Sequence, residues 1–151
     1  MGAIRVFLGW VIAVLTTVVT GSVVQTQFNM SSLTALGVEI GWSERLSATW
    51  HDLINFTPAY ALLVSIAFAI AWPIAGLLKR WLSAQRAVLF TLAGFAAIWM
   101  MISIMNQALP VTGIAATRSL TGVLALSICG AVAGWLYTRI LPGVRHDGDR
   151  V

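Results

Sequence analysis

Apolar residues in this chain gather into four unbroken blocks, at positions 6–28, 58–78, 87–109 and 119–141, and none of them contains Asp, Glu, Lys or His. Their only Arg is Arg139, close to the end of the last block. A hydrocarbon core of about 30 Å takes roughly 20 helical residues at a rise of about 1.5 Å each, and every block meets that length. The pattern predicts an all-α integral membrane protein, a four-span antiparallel bundle forming a single membrane domain over residues 1–151. A short polar tail follows at 142–151. Pro73 inside the second block predicts a bend there, because its missing N–H leaves the Ala69 carbonyl without its helical donor. Pro110 and Pro142 follow the third and fourth blocks as stop signals.

The connection between the first two blocks, residues 29–57, is long and carries its own pattern. Ser31 and Ser32 are placed to cap a short helix that reaches Leu36 and stops at Gly37. Ser43 is placed to cap a second helix over 44–56, with Glu44 in its first turn. In that second helix Leu46, Trp50, Leu53 and Ile54 share one face, while Glu44, Arg45, Ser47, His51, Asp52 and Asn55 occupy the rest. This predicts an interfacial amphipathic helix on the outer side, lying along the membrane surface or over the bundle.

Composition removes the soluble alternatives. A chain that is 59% hydrophobic and 9% charged, with mean hydropathy +0.89, has too little polar surface to cover a soluble domain. A net charge of +4 suits nucleic acid only when it forms a basic patch on a soluble face. Here the cations flank membrane spans, so no nucleic-acid partner is expected and the bilayer is the surrounding medium. Cys129 is the only cysteine and lies in the fourth block, which rules out an intramolecular disulfide and a Cys-based metal site.

Charge placement sets the expected orientation. Arg5, Lys79, Arg80, Arg86, Arg139, Arg145 and Arg150 fall on one side of a four-span chain, and only Arg45 and Arg118 on the other. The positive-inside rule then puts both termini in the cytoplasm and residues 29–57 outside, in a cell membrane, most simply a bacterial cytoplasmic membrane. Trp10, Trp72, Trp81, Trp135 and Tyr137 are read as anchors at the inner interface and Trp42, Trp50 and Tyr60 at the outer one. A rival reading takes the first block as a secretory signal peptide cleaved near Thr20, Gly21 and Ser22; the apolar run continuing through Val23 and Val24 favours a retained span.

Small residues predict how the spans pack. Gly9, Ala13, Thr17, Gly21 and Gln25 recur at a spacing of four on the first span, Ala61, Ser65 and Ala69 on the second, and Gly130 and Gly134 form a GxxxG on the fourth. Such faces let backbones approach closely in lipid, either within one chain or, through Gly130 and Gly134, between two copies.

Polar chemistry concentrates at the outer end. Gln25, Asn106, Gln107 and Arg118, under a covering helix that carries Arg45, His51 and Asp52, are the candidate ligand-binding residues. The structural reading of the same amides is that they hydrogen-bond loop backbone. No catalytic residue is assigned, since there is no nucleophile motif and His51 and Asp52 diverge on adjacent helical positions. No metal and no cofactor is expected, with only His51 and His146 available and no paired-histidine spacing. No ionisable group lies at mid-depth, which argues against ion-coupled transport. The expected function is therefore a non-catalytic accessory or assembly subunit of a membrane complex, or a small homo-oligomer. The alternative is a lipid- or quinone-binding or carrying protein with its site at the outer face.

Overall fold

A computed structural model describes residues 2–81, 85–108 and 114–141. It contains five α-helices: α1 (Gly2–Ala35), α2 (Trp42–Asn55), α3 (Thr57–Trp81), α4 (Arg86–Ala108) and α5 (Leu120–Ile140), with a 3₁₀ turn at Ala115–Arg118 before α5. Four of them, α1, α3, α4 and α5, are long and apolar enough to cross a membrane. The chain is a small multi-pass helical membrane protein. Pro110, Pro142 and the 142–151 tail lie outside the described residues.

The four spans close a ring in which α1 packs on α3 and α5, and α4 packs on α3 and α5. Successive spans alternate in direction, so every neighbouring pair is antiparallel. One end carries Lys79, Arg80 and Arg86 and is the basic end; the other carries α2 and is the hairpin end. Between helices in lipid there is little hydrophobic gain, so the ring is held by close backbone approach and dispersion. The α4–α5 pair shows this most directly. A Cβ added to Gly94 or Gly130 would overlap the carbonyl of the other, and one added to Gly134 would overlap the carbonyl of Phe90. The GxxxG of α5 therefore packs on α4 within the chain, which is the first of the two uses its spacing predicts.

The small-residue face of α1 packs inward as its spacing predicts: Gly9, Ala13, Thr17, Gly21 and Gln25 are all buried. Opposite it α3 presents large residues, and its buried ridge is Tyr60, Val64, Phe68 and Trp72. The Tyr60 ring fills the space over Gly21, where a Cβ would stand 2.7 Å from Cε1. The stripe Ala61, Ser65 and Ala69 lies beside this ridge, with Ala69 exposed, and is not the main packing surface of α3. Of the aromatic anchors, Trp81 and Trp135 are exposed, whereas Tyr60, Trp72 and Tyr137 are core residues.

At the hairpin end α1 does not stop where its apolar block stops. It continues to Ala35, because the hydroxyls of Ser31 and Ser32 both bond back to the Phe28 carbonyl at 2.9 Å, inside one helix, and no new helix is capped. Gly37, at φ +87°, then turns the chain. The amphipathic α2 starts one residue before Ser43, with Gly41 at its cap, and the Gly41 N–H donates to Glu44 Oε2 at 2.8 Å. Its axis runs antiparallel to the last turns of α1. The pairs Thr26–Asp52 at 2.8 Å and Thr34–Arg45 at 3.5 Å step up α1 as they step down α2, and Ser22–Thr57 at 3.1 Å continues the series at the first residue of α3. Backbone bonds from Phe56 N–H to the Asp52 carbonyl and from Tyr60 N–H to the Phe56 carbonyl link α2 to α3 across their junction.

Candidate functional site

The polar residues of the hairpin end divide into two groups. In the first, α2 is tied to α1 by its polar side. Thr26 Oγ1 lies 2.8 Å from Asp52 Oδ2 and 2.9 Å from the Ser22 carbonyl, so its one proton faces two acceptors. Arg45 reaches along α1 with long contacts to Gln27 Oε1 at 3.4 Å and Thr34 Oγ1 at 3.5 Å. In the second group the 3₁₀ turn is pinned from two sides. Gln25 is buried on α1, and its Oε1 accepts the Ala116 N–H at 2.9 Å. Asn106 on α4 accepts from the Thr117 hydroxyl at 3.2 Å. Ser119 then caps α5 by accepting the Gly122 N–H at 3.1 Å.

The candidate ligand residues are therefore not one constellation. Gln25 and Asn106 meet the 3₁₀ turn, and Arg45 and Asp52 meet α1. Gln107 and Arg118 are exposed at the ends of their elements. His51 is exposed on α2, where its ring lies 3.3 Å from Asn55 Nδ2. The expected covering of Asn106, Gln107 and Arg118 by α2 fails because α2 packs along α1 and α3. A shallow depression of about 420 Å³ does bring Asn29, Glu44, His51 and Asp52 to one surface. Both of its carboxylates are already engaged, Glu44 by the Gly41 N–H and Asp52 by Thr26. Among the described residues no three of His, Cys, Asp and Glu gather to hold a metal.

The larger concavity lies at the basic end, between α1 and α3. It is an open concavity of about 660 Å³, lined by the rings of Phe7, Trp10, Phe68, Trp72, Phe90 and Tyr137. Ala69, Pro73 and Gly76 form the low wall on the α3 side. Behind it the aromatic rings pack on each other, Trp72 on Tyr137 at 5.0 Å and 83°, and Phe90 on Tyr137 at 5.1 Å and 26°. The Arg86 guanidinium sits 5.2 Å from the Phe90 ring centre and donates to the Leu141 carbonyl, which clamps the start of α4 to the end of α5. Trp72 is 6% exposed, and among the described residues neither its buried Nε1–H nor the buried Tyr60 hydroxyl has a hydrogen-bond partner.

Sequence patterning missed this groove because its aromatic residues fit the interfacial belt equally well. The available signal was the cluster itself: Trp10, Phe68 and Trp72 share a depth with Pro73 and Gly76, residues that leave a helix wall low. Comparison with protein-family models, curated proteins and solved structures finds no match to this chain.

Proposed function

We propose that this membrane protein is a non-catalytic accessory or assembly subunit that docks a membrane partner, or a second copy of itself, through the outward ridge of α2. The basic end is proposed to face the cytoplasm, in keeping with the positive-inside rule. The observation that carries the reading is an apolar ridge that continues past the membrane. Along α3 the exposed ridge is Leu62, Ile66, Ile70 and Ile74, at 53 to 63% exposure, and it suits contact with lipid. The same four-residue spacing continues upward through Ile54, Trp50, Leu46 and Trp42, which are 56, 67, 71 and 83% exposed.

Lipid covers only part of that ridge. Counting from Leu78, about 20 residues at about 1.5 Å each carry α3 across a core of about 30 Å, to Pro58. Because α2 follows α1 onward, Ile54, Trp50, Leu46 and Trp42 stand about 6, 12, 18 and 24 Å beyond that edge. The headgroup layer accounts for about 6 Å on each side. On this count Trp50, Leu46 and Trp42 form an apolar ridge beyond the headgroup layer, on a helix tied to α1 through Arg45 and Asp52, and such patches mark protein contacts.

The reading is tested by purifying the full chain in mild detergent and measuring protein stoichiometry. A partner protein or a dimer is expected, and Leu46→Glu with Trp50→Glu is expected to release it while leaving the melting temperature within a few degrees. A parent protein that is monomeric and free of stoichiometric protein would reject it. The outer-face ligand alternative has less support, since Gln25, Asn106, Arg45 and Asp52 are each paired with the protein's own groups.

A further inference from the structure

We propose that the groove between α1 and α3 at the basic end holds an anionic phospholipid, with an acyl chain along the groove and the phosphate headgroup on Lys79 and Arg80. The two helices meet closely at the hairpin end, where the Tyr60 ring lies over Gly21. At the basic end they leave a concavity whose floor is Phe90 of α4 and Tyr137 of α5. Phe68 and Gly76 both line it and are eight positions apart, so about 12 Å of helix borders the groove. On the α1 side its rim is apolar and open, Val6 being 50% and Phe7 60% exposed on a membrane span, and at that depth the medium is acyl chain.

Charge decides which lipid. On α3 the groove residues Trp72, Pro73 and Gly76 form one stripe, and helical periodicity puts Lys79 and Arg80 on that stripe, one turn beyond Gly76. Both are exposed. The Arg86 guanidinium stands 5.2 Å from the Phe90 ring centre and 5.9 Å from that of Tyr137, the two rings of the floor, and adds a third cation at this end. Among the described residues the acidic side chains are Glu39, Glu44 and Asp52, all at the hairpin end, so the basic end has no carboxylate from them. An amphiphile whose chain follows the groove brings its headgroup to the cationic level, where a net negative charge is attracted and a zwitterion of zero net charge is not. Arg5 is the internal contrast. It lies at the same end of α1, but Ala3, Val6, Phe7 and Trp10 are the groove residues there, and the 3.6-residue period turns Arg5 to the opposite side.

The test is native mass spectrometry of the full-length protein in mild detergent, with equal amounts of dioleoyl-phosphatidylglycerol and dioleoyl-phosphatidylcholine, whose acyl chains are identical. One phosphatidylglycerol per chain is expected to be retained, with a preference of at least about fivefold, the worth of one cation near a lipid headgroup. Lys79→Gln with Arg80→Gln, both at exposed positions, is expected to remove the preference and leave phosphatidylcholine binding unchanged, while Arg5→Gln keeps it. Gly76→Phe fills the groove where an added Cβ meets nothing within 4 Å, and is expected to lower phosphatidylglycerol retention; Ala69→Trp, from an exposed position, replaces it if that variant does not fold. An excess of glycerol 3-phosphate, a headgroup without a chain, is expected not to displace the lipid. Equal retention of the two lipids by the parent, equal loss in Arg5→Gln and in the Lys79 and Arg80 variant, unchanged binding in both groove-filling variants, or displacement by glycerol 3-phosphate would each overturn the proposal.

Discussion

Gly94 lets α4 approach α5 by having no side chain. Its backbone meets Gly130 so closely that a methyl group on either has no room, and the obstructing atoms are carbonyl oxygens that cannot rotate away. Gly94→Ala or Gly130→Ala is therefore expected to destabilise the protein by about 1 to 3 kcal/mol, as overpacking does in well-filled interiors. Gly9→Ala meets the flexible tip of Leu141, at 2.9 Å, and should cost much less. Thermal unfolding in one detergent, compared across the three variants, checks the order.

The amides make a second contrast at the same scale. Gln25→Leu removes the acceptor of the buried Ala116 N–H, and an orphaned buried donor costs about 1 to 3 kcal/mol. Gln107 is exposed, so Gln107→Leu is expected to leave the melting temperature unchanged. Equal losses in the two variants would mean that the 3₁₀ turn is not held by Gln25. Sequence spacing placed both amides at one end of the bundle, and that is correct. It does not tell which of two polar residues turns inward, because that depends on the 3₁₀ turn, whose backbone N–H groups appear in no residue pattern.

At the scale of elements, the four spans were legible because lipid demands a minimum apolar length and tolerates no charge within it. The hairpin was less so. Ser31 and Ser32 are equally good caps and equally good interior residues when their hydroxyls bond a carbonyl one turn back, and here the second use prevails. Gly37 was legible, since a stop after an apolar-periodic stretch favours glycine. Its φ of +87° makes Gly37→Ala costly by about 1 kcal/mol although no neighbour lies within 4 Å of the added methyl. Gly37→Asn should recover part of the loss, since Asn tolerates the left-handed region. Hydrogen-exchange protection of Asp52 to Tyr60 should fall in the first variant and recover in the second. A uniform fall across α4 and α5 would show that the turn and the bundle unfold as one unit.

For the whole molecule, the aromatic residues explain why fold and site were not equally readable. A Trp near a span end suits the headgroup layer or the bundle interior, and composition does not separate them. Trp81, 82% exposed, takes the first place and Trp72 the second. The choice is made by the neighbouring helices, through Phe90 and Tyr137, which only the assembled ring brings together. Orientation is the remaining whole-molecule property, and it is testable with the chain's single cysteine removed. In a Cys129→Ala background, cysteines at Ser47 and Gln85, both exposed, stand at opposite ends of the bundle. With Lys79, Arg80 and Arg86 at the same end of the bundle as Gln85, the positive-inside rule predicts that an impermeant maleimide labels Ser47→Cys in intact cells and labels Gln85→Cys only after permeabilisation. The opposite labelling would place α2 and its uncovered ridge in the cytoplasm and move the search for its partner to that side.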